Sequence, residues 1–383
     1  MSKKHKIING SVFQEEGAFV PATVYLCDDR IVSEETYFAS EAPETLTDAE
    51  GCYVIPGLTD IHFHGCMGCD CCDGTEEAFR VIAEYELHQG VTSITPATMT
   101  MSEEVLTGIC RSAKDFSCAD GADFCGLYME GPFISPAKKG AQNDKYICPA
   151  DTEMLKRLQQ ASGGLIRTVT VAPEADGAMD FIRENSGSIN ISLAHTTADY
   201  DTAKEALSCG ASQLTHTYNA MMPFSHRAPG PVGAAADSSH CMAELICDGI
   251  HIHPAAVRTT FKIFGDDRII LISDSMRAAG LKDGEYDLGG QTVTVKGNLA
   301  VLADGTLAGS VTNLMDCVRT AVRDMGIPLA SAVKCAAVNP AKAVGIYHDY
   351  GSLTPGKYAN IVLLDRDLGL KAVFHRSNIV NPV

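Results

Sequence analysis

The sequence predicts an α/β fold: a (β/α)8 TIM-like barrel with a small β-sandwich built from both chain ends. Two observations lead there. Through the centre of the chain, short runs rich in Val, Ile, Leu and Thr alternate with amphipathic segments, the pattern of parallel strands covered on both faces and joined by helical crossovers. At both ends the pattern changes to short strands and turns, and neither end alone is long enough to close a stable β unit.

Barrel strands are expected at Tyr53–Phe63, Ser93–Thr98, Phe124–Met129, Ile166–Val171, Ile189–Ala194, Gln213–Thr217, Ala243–Cys247 and Ile269–Ser273. Helices are expected at Glu76–Gln89, Glu103–Ser117, Thr152–Ala161, Thr202–Cys209 and Pro254–Phe264, several of them ending at Gly or starting near Ser, Thr or Asp. The Met179–Asn185 segment is short, and the stretch after Met221 is broken by Pro and Gly, so two crossovers are weakly marked. Residues 1–55 with 347–383 are assigned to the sandwich and residues 56–346 to the barrel; Asp283–Leu307 is a further β-rich excursion.

Composition narrows the function. The net charge of −18 argues against a nucleic-acid partner, and an anionic substrate would need a local cationic cluster. No stretch approaches the ~20 apolar residues of a membrane span, and the N-terminus carries no signal-peptide pattern. The 15 cysteines are odd in number and spread through a long chain, which fits reduced thiols and a cytoplasmic location better than a disulfide scaffold.

The chemistry gathers at the predicted strand ends. His62 and His64 close the first strand, two residues and about 6.6 Å apart, so alternation turns both imidazoles to one face. Glu130 ends the third strand, His195 the fifth, His216 the sixth and Asp274 the eighth; His251 follows the seventh. In a barrel these ends converge on one mouth. Any one of these residues is weak evidence for a site, but together they form a nitrogen and oxygen donor set suited to a divalent ion. The Cys66, Cys69, Cys71 and Cys72 spacing matches no cluster motif and reads as reduced thiols. His226, His240, His253 and the Lys138–Lys139 pair read as structural or solvated.

The segments PGLTDIHFHG, MEGPFISPAKKGAQN, LAHTTA, THTYNAM, HRAPG, DGIHIHP, SDSMRAAG, DGEYDLGG and LAGS, in that order, resemble the N-acetylglucosamine-6-phosphate deacetylases of the amidohydrolase superfamily. The resemblance spans about Pro56 to Asn339, and PGKYANIVLLD near the C-terminus fits the superfamily's sandwich. It implies a hydrolase acting on a linear amide, releasing acetate from a phosphorylated amino sugar. It implies one or two divalent ions per chain, zinc or iron first, with manganese, cobalt or nickel admitted. Glu130, His195 and His216 would hold the first ion, and His62 and His64 a second, with Glu130 bridging. Asp274 would be ligand or near-ligand and the general acid/base. His251 would contact the sugar and orient the amide. Asn219, the Ala220 backbone and Arg227 would hold the 6-phosphate, Arg227 reaching across a homodimer. Leu307 and Ala308 would line the acetyl or sugar pocket. Gln142 stands where some relatives carry His, and can donate N–H to a carbonyl oxygen without titrating. Ala228 replaces a frequent Glu and Asn360 a usual Asp. The competing readings are another N-acyl amino-sugar deacetylase, a D-amino-acid deacylase, or a non-catalytic scaffold, which would typically have lost metal ligands.

Overall fold

The computed structural model describes residues 3–380. The barrel strands are β1 (Leu58–Asp60), β2 (Val91–Ile94), β3 (Leu127–Met129), β4 (Ile166–Val171), β5 (Asn190–Leu193), β6 (Gln213–Leu214), β7 (Met242–Ile246) and β8 (Ile269–Ile272). Every consecutive pair from β1 to β8 is parallel; β2 and β3 meet through Asp123–Phe124, and the Ala97–Thr98 continuation of β2 pairs with β3. Between β8 and β1 there is no strand ladder. The seam is closed by the Asp274 N–H donating to the His62 carbonyl at 3.0 Å and the His64 N–H donating to the Ser275 carbonyl at 2.7 Å.

The crossovers are helices with side-chain caps at most N-termini: Thr75 for Glu76–His88, Ser102 for Glu103–Lys114, Asp151 for Thr152–Ser162 and Asp199 for Tyr200–Ser208. His253 caps Pro254–Phe264 through its ring, accepting from the Ala255 N–H, which gives this histidine a structural role. The two weakly marked crossovers are both helical, Ala178–Asn185 and Gly230–Asp237, at eight residues each. Apolar side chains of these helices and the strands merge into one large core that includes Val169, Leu193, Leu245 and Leu271.

The expected first strand, Tyr53–Phe63, is two elements. Tyr53–Pro56 pairs antiparallel with Ile361–Leu364 in a terminal sheet, and only Leu58–Asp60 joins the barrel. Gly57 is the point of departure: a Cβ there would sit 2.1 Å from Thr92 Oγ1, so only glycine lets the chain pass this close to β2. His62 and His64 therefore lie beyond the strand, and their common facing comes from the loop rather than from strand alternation.

The terminal sheet has eight strands, with segments from Lys4 to Pro56 and from Ile361 to Val380, around its own cluster of Ile7, Leu26, Val54, Ile361 and Phe374. It meets the barrel at Asp123, which accepts from Arg376 Nη2 at 2.9 Å and from the Asn360 side-chain amide at 3.3 Å. The excursion after β8 is a three-stranded antiparallel sheet, Gly284–Leu288, Gln291–Lys296 and Leu299–Val301, packed on Met99 and Met276.

Candidate active site

A cavity of about 340 Å³ opens where the strands end, lined by His64, Glu130, His195, His216, His251 and Asp274 among others. The backbone turns sharply at three of these positions. His195, His216 and Asp274 have φ of 45°, 29° and 48°, in the left-handed region that non-glycine residues rarely occupy. Each is held there by a bond to its own carbonyl: Ser135 N–H at 2.9 Å, Asn219 N–H at 2.9 Å and Ser310 N–H at 2.7 Å respectively. Conformations of this kind cost roughly 1–3 kcal/mol each and persist where surrounding structure imposes them. Here they coincide with the side chains that turn into the mouth.

Those side chains form two groups around one carboxyl. Glu130 Oε1 lies 2.9 Å from His195 Nε2 and 3.1 Å from His216 Nε2, and the two nitrogens are 3.2 Å apart. On the other side, His64 Nε2 stands 3.3 Å from Glu130 Oε2 and 3.4 Å from Asp274 Oδ1. His62 Nε2 stands 3.7 Å from Glu130 and 3.8 Å from Asp274. Within each group, one donor atom from every residue lies within 4.8 Å of the others. His62 Nε2 is buried with no hydrogen-bond partner among the described residues, although Glu130 and Asp274 oxygens face it. A buried ring nitrogen facing two carboxyl oxygens at 3.7 and 3.8 Å without bonding either fits a site shaped for a cation, and the N and O donors fit a divalent ion.

The electrostatics agree. Burial alone would raise the Glu130 carboxyl, but the imidazoles around it, His195 first, hold it well below the usual range. Burial lowers His64, yet Asp274 and Glu130 outweigh it and push the ring up to about 10. Burial lowers His62 too, and Glu244 and Glu130 reverse this and raise it well above its ordinary value. Burial raises Asp274, and His64 and His62 bring it below its ordinary value. Carboxyls held acidic and imidazoles held basic mean that the pocket demands positive charge.

A second ring of contacts fixes the donors. The Gln142 amide donates to Glu130 Oε2 at 2.6 Å and its oxygen accepts from the Thr100 N–H at 2.7 Å. His195 Nδ1 is 2.9 Å from the Lys138 carbonyl. His62 Nδ1 is 2.8 Å from Glu244, and its ring stacks on Tyr128 with centroids 4.3 Å apart. His251 Nδ1 is 2.7 Å from Asp248, whose other oxygen accepts the Ile250 and His251 N–H groups.

Of the remaining expected residues, Gln142, Asn219, Ala220, His251 and Leu307 line the cavity. Ala308 does not. It is fully buried in the cluster with Met99 and Met276, while its neighbours Leu307 and Gly309 line the mouth. Arg227 is exposed on the loop after Met221, outside this chain's lining residues. His226 is exposed beside it, and His240 bonds Ser238 and the Ala211 carbonyl. Lys138 lines the mouth, whereas Lys139 pairs with Asp144. The four clustered cysteines are free thiols, and Cys72 Sγ accepts from the Met99 N–H. Glu244 and Asp248 were not singled out by sequence reasoning. The available signals were a lone carboxyl within the apolar run MAELI and the Asp of DGIHIHP.

Residues 53–382 match the model of the amidohydrolase family. The chain is 40% identical over 332 residues to N-acetylglucosamine-6-phosphate deacetylase of Bacillus subtilis (strain 168), covering 85% of this chain and 84% of that one. It is 33% identical to N-acetylgalactosamine-6-phosphate deacetylase of Escherichia coli O157:H7, covering 88% and 90%. Among solved structures, a variant N-acetyl-D-glucosamine-6-phosphate deacetylase from Mycobacterium smegmatis in complex with N-acetyl-D-glucosamine-6-phosphate superposes with a TM-score of 0.87 at 30% identity, covering 99% of both chains. The strand-end carboxyl and histidine cluster and these likenesses agree: the chain belongs to the amidohydrolase family, within its N-acetylglucosamine-6-phosphate deacetylases.

Proposed function

We propose that this chain hydrolyses the acetamide of N-acetyl-D-glucosamine 6-phosphate to give D-glucosamine 6-phosphate and acetate. The observation that carries the reading is Glu130 bridging two groups of donors at a strand-end cavity, with Asp274 beside them.

Glu130, His195 and His216 would hold one divalent ion, and His62, His64 and Asp274 a second; zinc or iron suits the donors best, with manganese, cobalt and nickel admitted. When bound, such an ion supplies Lewis acidity, polarising the acetyl carbonyl and making water acidic enough to lose a proton near neutral pH. Asp274 takes that proton and hands it to the leaving nitrogen, which would otherwise depart as an unfavourable anion. His251, oriented by Asp248 through Nδ1, directs its other nitrogen at the acetyl oxygen or sugar. Gln142 and Leu307 border the sugar. Asn219 and the Ala220 backbone take the 6-phosphate, completed by Arg227 of a second copy of the chain; a planar guanidinium matches phosphate geometry and supplies the cation that a chain of charge −18 needs there. The working assembly is thus a homodimer. We place it in the cytoplasm: its 15 cysteines are all free thiols, and no helix among the described residues is long and apolar enough to cross a membrane.

A second reading, the galactosamine epimer as substrate, is favoured by the Escherichia coli relative. Acetate release from the two 6-phosphate sugars and from unphosphorylated N-acetylglucosamine tests both. The glucosamine phosphate should turn over fastest and the unphosphorylated sugar far more slowly; equal rates with and without phosphate would sink the phosphate assignment. Asp274→Asn should keep at least the Glu130-side ion and lose nearly all turnover, and near-native turnover would remove Asp274 from the mechanism.

A further inference from the structure

Glu244 lies in the middle of β7 with its carboxyl inside the barrel, fully buried. Its partners are few and specific. Oε2 is 2.8 Å from His62 Nδ1 and accepts the His216 backbone N–H at 3.0 Å; Oε1 accepts the side-chain amide of Gln213. No lysine or arginine pairs with it among the described residues, so the only basic side chain it touches is His62. Burying a carboxyl among apolar strand residues costs several kcal/mol unless a charge or full hydrogen bonding answers it. Two of its three contacts lead to residues of the two donor groups, one on each side of Glu130.

The His62 ring is fixed from two directions. Tyr128 stacks on its face at 4.3 Å and 17°, and Glu244 holds its Nδ1 edge. With Nδ1 donating to Glu244, the proton sits on that nitrogen and Nε2 is left as a lone pair turned toward Glu130 and Asp274. Rotated or in the other tautomer, His62 would present N–H to the site and could not be a ligand. His64 has no such brace: its Nδ1 is buried without a partner among the described residues.

We infer that Glu244 is a positioning residue that locks His62 with its Nε2 lone pair facing the site, and thereby determines whether the His62–His64–Asp274 group takes up an ion. The inference rests on the two-ion reading above. It predicts an unequal effect: in the Glu130–His195–His216 group Gln142 holds Glu130 and the Lys138 carbonyl holds His195, and Glu244 reaches that group only through the His216 backbone N–H, whereas it holds the His62 ring itself.

The test is a titration of chelator-stripped protein with Zn²⁺ against a chromophoric competitor, for wild type, Glu244→Gln and Glu244→Ala, with thermal unfolding of each. Histidine side-chain nitrogen NMR, assigned with His62→Ala, follows the Nδ1–H signal of His62. Wild type should bind two equivalents. Glu244→Ala should bind the first with at most a small loss, from the freed His216 N–H, and the second about 10- to 100-fold more weakly, and should lose the protected Nδ1–H signal. Glu244→Gln keeps the shape and one acceptor oxygen, so it should keep the signal and fall between the two. Two equivalents of native affinity in Glu244→Ala would overturn the inference. Equal weakening of both equivalents alongside a lowered Tm would also overturn it, by showing a general folding role. A wild-type chain that takes up one equivalent would overturn the two-ion reading and the occupancy part of the inference together, whereas failure in Glu244→Ala alone leaves the two-ion reading standing.

Discussion

Glu130, His195 and His216 come from the ends of β3, β5 and β6 and close to 2.9–3.2 Å. His62, His64 and Asp274 come from the seam where β8 meets β1, and the nearest nitrogen–oxygen approaches there run from 3.3 to 3.8 Å. The first group follows strands within a continuous parallel ladder, so register brings the strand ends level and the turns at His195 and His216 aim the side chains. The second hangs on a junction held by backbone bonds between loop residues, with a side-chain brace on only one of its two histidines. A ladder sets positions through repeated hydrogen bonds, whereas a seam leaves them to individual contacts. The ladder group should therefore be the indispensable one and the seam group the adjustable one.

The largest effect expected is from Glu130→Ala, which removes the carboxyl common to both groups. Turnover should fall by on the order of 10⁴ or more, as when a catalytic unit is broken, and elemental analysis should find the metal lost. A variant that keeps a full complement of metal would show that Glu130 does not unite the groups. His62→Ala touches only the seam. It should lose one equivalent of two and on the order of 10²-fold in activity, at or above the roughly 10- to 100-fold typical for losing a residue that only supports a metal-holding side chain. A loss as deep as that of Glu130→Ala would erase the distinction between ladder and seam. Gln142→Leu removes the N–H donated to Glu130 Oε2 while leaving every donor in place. About a tenfold loss is expected, near 1.4 kcal/mol and the low end for a charge-assisted hydrogen bond. No change in kcat/KM on this substitution would mean that the ladder group needs no brace at all.

Sensitivity to pH can be checked away from the strand-end donor groups. Burial would raise Asp123, but His375 and Arg376 outweigh this and depress it below its ordinary value. A depressed carboxyl contributes stability above its unfolded pKa, about 3.9, and that contribution is lost as pH falls through the folded value. Asp123→Asn should therefore lower Tm at neutral pH and make little difference in strong acid; an equal drop at both would remove this junction as the cause.

The legible parts of the molecule were those whose cause is local. Parallel strands and their crossovers announce themselves through apolar runs and capped amphipathic segments, and Pro254–Phe264 and Ile166–Val171 coincide with their expected bounds. The His and acid residues that gather at the mouth were legible because such a residue at the end of an apolar run is unusual chemistry at a predictable place. The division of Tyr53–Phe63 at Gly57 was not, since the clash that requires glycine is with Thr92, on another strand. Nor was the burial of Ala308, which depends on what packs beneath the excursion.

By itself the sequence determined which side chains gather at the mouth and in what order along the barrel, since hydrophobic period and residue type are written within ten or so neighbours. Only the tertiary structure decided how they are held: the left-handed turns that aim His195, His216 and Asp274, the seam in place of a last ladder, and the brace from Glu244 to His62, 182 residues away. A contact across that distance depends on barrel closure, and closure leaves no periodic trace in either of the segments it joins.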